Sequence, residues 1–221
     1  MTFQRARTEE QREIRRRAIL DTAAAMLEEM PVAEVSLNEL SRRAGLAKSA
    51  LLRYFESREA VLLELLDYFL QNWLAELSED LTAGVDAGLP AEQRARQLAE
   101  VLSNSLAARP VLCDLFAAQG SVLEHNVTLE VATRHKRASL DALATMTGLI
   151  RHHLPELGDG AQVFCLHALL LASGLSAYFP PPAVVLAAYE ADPSLATLGS
   201  DLRVALRQGL DAALLGSLPR A

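Results

Sequence analysis

The stretch of sequence that decides the fold is VSLNELSRRAGLAKSALLRYFESREA, residues 35–60. Ser36 followed three positions later by Glu39 predicts a capping box, and Val35 with Leu40 predicts a hydrophobic staple, so a helix should begin here. Gly45 can adopt a left-handed turn at low cost, and a second helix is predicted over residues 48–54. Two short helices joined by a tight turn form a helix-turn-helix.

The residue types on the two helices fit this packing. The positions predicted to be buried carry apolar side chains or tyrosine: Leu40, Ala44, Leu46, Leu51 and Tyr54. The opposite face of the second helix carries the hydrogen-bond donors Lys48, Ser49 and Arg53. Such a face suits contacts to phosphates and base edges in the major groove of DNA. An ordinary helical hairpin with a solvated charged face is the alternative interpretation.

The rest of the chain also predicts helices. Of the 221 residues 51% are hydrophobic and only 5% aromatic, with abundant Ala and Leu, which favours helix over strand. No strand pattern is present, so the predicted fold class is all-α. We expect an N-terminal three-helix domain over residues 1–56 and a larger helical domain over residues 57–221. Helices outside the motif are predicted at residues 8–29, 58–81, 91–108, 110–122, 127–153, 161–178 and 201–215.

Charge is distributed unevenly along the chain. The net charge is −7, but residues 1–60 hold 11 Lys and Arg against 10 Asp and Glu, while residues 61–221 are strongly acidic. An arginine-rich start on an acidic body predicts a local nucleic-acid contact and not a generally basic protein. We expect this arm, including Arg5 and Arg7, to contact phosphates or the minor groove; a solvated helix start is the alternative.

Nothing in the sequence predicts export or a membrane partner. The N-terminal residues lack the apolar run of a signal peptide, and Cys113 and Cys165 form no spacing motif. The charge-free stretch 161–189 is interrupted by three prolines, and its helical part is shorter than a membrane span needs. We therefore expect a cytoplasmic protein in which this helix is buried on several faces.

The region VSLNELSRRAGLAKSALLRYFESREAVLLELL resembles the DNA-binding region of the TetR family of regulators. The resemblance covers about the first 70 residues and rests on the capped helix, the Ala-Gly turn, the Lys-containing second helix and the Ser-Arg-Glu-Ala helix start. It implies a homodimer that binds a double-stranded DNA operator, and a C-terminal domain that binds a small-molecule inducer. The two last long helices of each subunit, 161–178 and 201–215, would form the dimer interface.

The resemblance also implies which positions contact DNA. They are Asn38, Lys48, Ser49, Ala50, Arg53, Tyr54 and Arg58. Three positions depart from the family pattern: Ala47 replaces the common Ser or Thr cap of the second helix, Ala50 replaces a frequent Thr, and Leu52 replaces a Tyr that would contact phosphate. We therefore expect Arg53, Arg58 and the arm to contribute a larger share of the affinity.

The C-terminal domain carries no catalytic signature, so an enzyme is not expected and no cofactor is predicted. The five histidines and two cysteines lack chelating spacings, so no metal site is predicted. An apolar pocket between helices remains, and plain core packing is the alternative for each of its residues. The candidate ligand-binding residues are Trp73, Cys113, Phe116, Met146, Phe164 and His167.

We therefore predict a dimeric, ligand-responsive transcriptional regulator that acts as a repressor. It would bind a palindromic operator, and a small-molecule inducer would release it. The main alternative is an all-α interaction or adaptor protein that does not bind DNA. A small helical enzyme is a more distant alternative. Gel shifts and co-purifying cofactors distinguish these three classes.

Overall fold

The computed structural model describes residues 2–196 and 201–219, with side chains from residue 9 onward. Helices and turns make up this part of the chain and no strand occurs in it, which confirms the all-α prediction. The α-helices are α1 (Thr2–Glu29), α2 (Leu37–Arg43), α3 (Lys48–Leu51), α4 (Arg58–Gly84), α5 (Ala91–Ala107), α6 (Pro110–Ala118), α7 (Leu129–His153), α8 (Gly160–Ser176), α9 (Ala183–Ala191) and α10 (Leu202–Ser217). A π-helical turn, Gln119–Leu123, follows α6, and short 3₁₀ turns lie at Val32–Glu34, Pro155–Leu157 and Pro193–Leu195.

The structure corrects several predicted boundaries. Helix α1 begins at Thr2, so Thr8 lies inside it and does not start it. Helix α3 ends at Leu51, and the next three residues form turns with bonds across three residues, from Arg53 N to Ala50 O at 3.2 Å and from Tyr54 N to Leu51 O at 2.9 Å.

The triple proline at residues 180–182 predicts an irregular stretch up to residue 200, but helix α9 begins directly after these prolines. Pro182 precedes the helix with φ −57° and ψ 153°. A proline is tolerated at a helix start because the backbone N–H that it lacks would have no hydrogen-bond partner there. Residues 197–200, which belong to the same predicted irregular stretch, lie outside the described residues.

The chain divides into two compact units. The first contains Met1–Tyr68 together with Ala118–Lys136, and the second contains Phe69–Ala117 together with Arg137–Ala221. In the first unit the helix-turn-helix packs on α1 and the start of α4, with Ile19, Met26 and Leu62 among its fully buried side chains. The boundary expected after residue 56 remains a proposal about where the DNA-reading part of this unit ends.

The second unit has its own apolar core. Helix α10 packs against α5 and α8, and its side chains Leu206, Leu210 and Leu214 are fully buried. Helices α8 and α10 approach closely, since a Cβ on Gly209 would lie only 2.5 Å from Leu171 Cδ2. These side chains form part of a continuous apolar core in the second unit.

By the test of length and apolar composition, no single helix among the described residues qualifies as a membrane span. The pair Ala91–Ala107 and Pro110–Leu123 passes that test only when taken together, with a bend of 86° between its members.

Candidate nucleic-acid interface

Local hydrogen bonds fix the entry to the helix-turn-helix. Ser36 Oγ accepts from Glu39 N at 3.2 Å, as the capping box predicts. The carboxylate of Glu39 does not complete that box; it accepts instead from the guanidinium groups of Arg42 and Arg43. Hydrogen bonds from Arg42 and then Arg43 lower the pKa of Glu39 to about 2. Arg42 and Arg43 are therefore occupied by an acidic partner of their own helix.

The turn between α2 and α3 is a glycine-dependent helix end. Gly45 has φ 65°, a conformation that favours glycine. Leu46 N donates to Ser41 O at 2.9 Å and Gly45 N donates to Arg42 O at 3.2 Å, the two bonds of a Schellman motif. Because these bonds satisfy the last carbonyls of α2, the chain leaves that helix in one defined direction, and α3 starts from it.

Helix α3 presents the predicted polar face to solvent. Lys48, Ser49 and Arg53 are exposed, and Ala50 and Tyr54 are half-buried. Leu51, on the opposite side, is fully buried beneath them. Ala47 begins the helix without a side-chain cap, as expected from its departure from the family pattern. Asn38 is exposed near the start of α2.

A basic cleft lies beside this face. It has a volume of about 440 Å³ and is lined by Gln11, Arg12, Arg15, Arg53 and Tyr54. Among the described residues, none of its three arginines forms an ion pair with an acidic side chain. Three unneutralised guanidinium groups around one cleft attract an anion such as a backbone phosphate.

Arg5 and Arg7, the arm residues predicted to contact DNA, have side chains that lie outside the described residues. Arg12 and Arg15 were not singled out, although their spacing of three places them on one face of α1. That spacing is the sequence feature that could have identified Arg12 and Arg15 as a pair on one helix face.

The three successive arginines of α1, residues 15–17, point in different directions. Arg15 lines the cleft, while Arg17 pairs with Asp21 at 3.1 Å and lies over the ring of Tyr68. Arg16 turns inward: Nη1 donates to Tyr54 O at 2.7 Å and Nε donates to Glu64 Oε1 at 3.0 Å. Arg16 thus holds the end of the turn after α3, and Arg15 is the one left at the cleft.

The side chain of Arg58, a predicted DNA contact, is held in place by hydrogen bonds within the protein. Its Nη1 donates to Val35 O at 2.8 Å and its Nε donates to Glu59 Oε1 at 3.2 Å. Its side chain is only 20% exposed. These bonds connect the start of α4 to the start of α2, so a role in local packing accompanies any phosphate contact of Arg58.

The candidate ligand-binding residues separate into two groups. Trp73, Cys113, Phe116, Met146 and Phe164 are all buried in the second unit. His167, in contrast, is exposed on α8. Trp73 Nε1 donates to Ser105 Oγ at 3.0 Å, and Ser105 Oγ also accepts from Arg109 at 2.9 Å. The sequence did not single out these polar partners of the tryptophan.

The cysteine environments fit packing. Burial raises the pKa of the thiols of Cys113 and Cys165 to about 11, which disfavours a reactive thiolate. Within the described part of the chain, no three His, Cys, Asp or Glu side chains come together as a metal site would require.

Two successive parts of the chain match two family models. Residues 19–65 match the model described as bacterial regulatory proteins of the tetR family. Residues 69–221 match the tetracyclin repressor-like C-terminal domain.

Two similar regulators match over part of the chain. The transcriptional regulator EthR of Mycobacterium tuberculosis (strain H37Rv) is 48% identical over 50 residues, 23% of either protein. EthR of Mycolicibacterium smegmatis is 37% identical over 98 residues, 43% of either protein. The matched stretch is thus less than half of either relative.

Among solved structures, a tetR-family regulatory protein from Rhodococcus RHA1 is similar with a TM-score of 0.54 and 13% identity. The alignment covers 94% of this chain and 98% of that one. At this identity the likeness concerns the fold.

Proposed function

Because this chain belongs to the TetR family of bacterial transcriptional regulators, a family of DNA-binding proteins and not of enzymes, we propose that it is a dimeric, ligand-responsive repressor. It binds a palindromic operator through α2 and α3, and a small-molecule inducer releases it. This role places the protein in the cytoplasm. The observation that carries the DNA contact is the cleft of Arg12, Arg15 and Arg53 beside the exposed face of α3.

The proposed DNA interface contains residues that contact base edges and residues that contact phosphates. Lys48, Ser49 and Arg53 contact base edges or adjacent phosphates, and Ala50 packs on a thymine methyl. Tyr54 and Asn38 flank them, and Arg58 contributes a phosphate contact from the start of α4. Arg5 and Arg7 of the arm belong to the same proposed set, which Arg12 and Arg15 extend.

The test is the salt dependence of binding to a duplex that the unmodified protein selects from a randomised pool. Arg53→Ala should weaken binding, and it should lower the slope of log affinity against log salt by about one, because one phosphate neutralisation is lost. Arg96→Ala is the matched control, since Arg96 is an exposed arginine of the second unit. Equal affinity and slope for the two variants would remove Arg53 from the interface, and no selected duplex at all would favour the adaptor alternative.

The proposed dimer uses the exposed face of α8. Val163, Leu166 and Leu170 are 55%, 46% and 59% exposed, and their spacing places them on one side of the helix. Such an apolar stripe on a protein surface needs a cover, and a second copy of α8 with α10 would form a four-helix bundle. Dimerisation sets the distance between the two copies of α3, and half-sites one helical turn apart require about 34–36 Å.

Sedimentation velocity tests this interface. Leu170→Glu should shift the protein from dimer to monomer, because it introduces a charge into the stripe. Leu140→Glu, at a comparably exposed leucine of α7, is the control. A dimer that survives Leu170→Glu would place the interface elsewhere.

The proposed inducer is a largely apolar small molecule that contacts the buried group of Trp73, Cys113, Phe116, Met146 and Phe164, with His167 at its margin. An inducer acts by preferring a conformation that does not fit the operator. Trp73 is the single tryptophan of the chain, so its fluorescence reports on this region without labelling. A compound that releases the selected duplex should change that emission, and release without any change would move the site away from Trp73.

A further inference from the structure

The segment Ala118–Lys136 belongs to the compact unit of the helix-turn-helix. In the chain, α6 precedes it, and the remainder of α7, from Arg137, follows it in the other unit. The segment holds the π-helical turn Gln119–Leu123, closed by the bond from Glu124 N to Gln119 O at 3.1 Å. π-Helical turns are rare and occur often at functional positions.

One contact of this segment reaches the residues that follow α3. The carboxylate of Glu56 accepts from Thr128 N at 2.6 Å and from Thr128 Oγ1 at 2.8 Å. Thr128 directly precedes α7 and accepts from Ala132 N at 2.9 Å through its carbonyl. Glu56 therefore lies at the positive N-terminal end of α7, where a carboxylate is favoured. It is only two residues beyond Tyr54.

A second contact runs through a shared carboxylate. Arg134 Nη2 lies 3.7 Å from Glu64 Oε2, and Glu64 is also the partner of Arg16. Arg16 in turn donates to Tyr54 O. The start of α7 is thus connected through Glu64 and Arg16 to the same end of the α3 turn that Glu56 follows.

A third contact fixes the segment to α4. His135 is 2% exposed, its Nδ1 lies 2.6 Å from Asp67 Oδ1, and its Nε2 lies 3.0 Å from Gln119 Nε2. The two ring nitrogens of His135 thus have separate polar partners, a carboxylate and an amide. This histidine joins the π-helical turn, α7 and α4 in one network.

Helix α3 needs such support. It is four residues long, and a helix of one turn does not hold itself together in water. The Schellman motif at Gly45 fixes where α3 begins. The contacts of Glu56 and Arg16 fix where the turn after it ends, and both lead to segment 118–136.

We propose that segment 118–136 is a positioning element for α3, and that the bond between Thr128 and Glu56 sets operator affinity without touching DNA. The inference rests on the proposed operator binding. Because Thr128 bonds to Glu56, two residues beyond Tyr54, the position of the segment sets the position of the end of the α3 turn. Thr128 and Glu56 are therefore positioning residues for DNA recognition.

Thr128→Val tests the proposal on the full chain, with the duplex selected from the randomised pool as probe. Loss of the hydroxyl bond should lower the fraction of molecules with α3 correctly placed and weaken binding roughly five- to tenfold. The salt slope should stay unchanged, because no phosphate contact is lost. Thr128→Ser keeps the bond and should bind within about twofold of the unmodified protein.

Thr145→Val is the matched control, since Thr145 is an exposed threonine of the same helix whose hydroxyl donates to Asp141 O at 2.9 Å. It should not change binding. A Glu56→Gln background should reduce the cost of Thr128→Val, because two residues of one contact are not additive. If the valine variant loses its thermal transition, Thr128→Ala replaces it in the same comparisons.

Three results would overturn the proposal. Binding by Thr128→Val within about twofold of the unmodified protein means that the bond does not position α3. A salt slope lowered by about one means that Thr128 lies at the DNA itself. Equal weakening by Thr145→Val means that the effect is general to α7. If Arg53→Ala also leaves binding unchanged, the proposed operator contact fails as well; if Arg53→Ala weakens binding, only the positioning role fails.

Discussion

Replacement of Arg16 by methionine tests how the first unit holds the end of the α3 turn. Besides its bonds to Tyr54 O and Glu64, the Arg16 guanidinium carbon lies 4.1 Å from the ring centroid of Phe55. Arg17, the next residue, has one ion pair within its own helix, to Asp21, and lies over Tyr68 at 4.5 Å. Arg17→Met therefore removes the same charge from a far more solvated place.

The expected cost follows from these contacts. Hydrogen bonds to a charged group contribute about 1.5–3 kcal/mol and a cation–π contact about 0.5–1 kcal/mol. The side chains of Arg16 and Glu64 are 22% and 25% exposed, so solvent screens part of their attraction. Methionine retains some packing on Phe55. We expect Arg16→Met to lower the free energy of unfolding by about 2–3 kcal/mol.

Thermal unfolding followed by far-ultraviolet circular dichroism measures the difference. For a chain of this size the cost corresponds to a fall in Tm of roughly 4–12 °C, and Arg17→Met should lower the Tm by much less, because the contacts of Arg17 are more exposed. A double-mutant cycle with Glu64→Gln isolates the ion pair. Equal transitions for the two arginine variants, or no coupling in the cycle, would refute the role assigned to Arg16.

Three further predictions concern the cap at Ser36, the turn at Gly45 and the two buried cysteines. Ser36→Ala removes the hydroxyl that accepts a backbone N–H at 3.2 Å and should cost about 1 kcal/mol in the same thermal assay; an unchanged transition contradicts the cap. Gly45→Ala places a side chain at φ 65° with no atom within 4 Å of its Cβ, so the cost should be a backbone one of about 1–2 kcal/mol. Gly148→Ala, inside α7 and equally free of contacts, should instead be neutral or stabilising. Cys113 and Cys165, with thiol pKa values raised from 9.0 to about 11 by burial, should alkylate slowly near neutral pH. Stability should fall as the pH rises from 9.0 towards 11, because the unfolded thiols lose their protons first; rapid alkylation of the folded chain at neutral pH contradicts this.

The helix-turn-helix was predictable because its signals are local. Ser36 and Gly45 act through bonds to residues within five positions of the chain, so their side-chain types are sufficient to predict a helix start and a turn. The exposed face of α3 follows from helical periodicity alone. Features that depend on longer range were harder to predict: α9 follows a proline run that predicted an irregular stretch, and local sequence does not show that His167 is exposed while the other five candidate ligand residues are buried.

The sequence by itself determined that the chain is helical, where the helix-turn-helix lies and which family it belongs to. Helix caps, turns and helical periodicity depend on residues that are close together in the chain. Only the tertiary structure decided which arginines of α1 face the cleft and which one faces inward. It alone brought Thr128 to Glu56 and His135 to Asp67. These pairs are 72 and 68 residues apart, and no local pattern selects one charged partner among many at such distances. The packing of the first parts of α4 and α7 within the first unit determines which residues become partners.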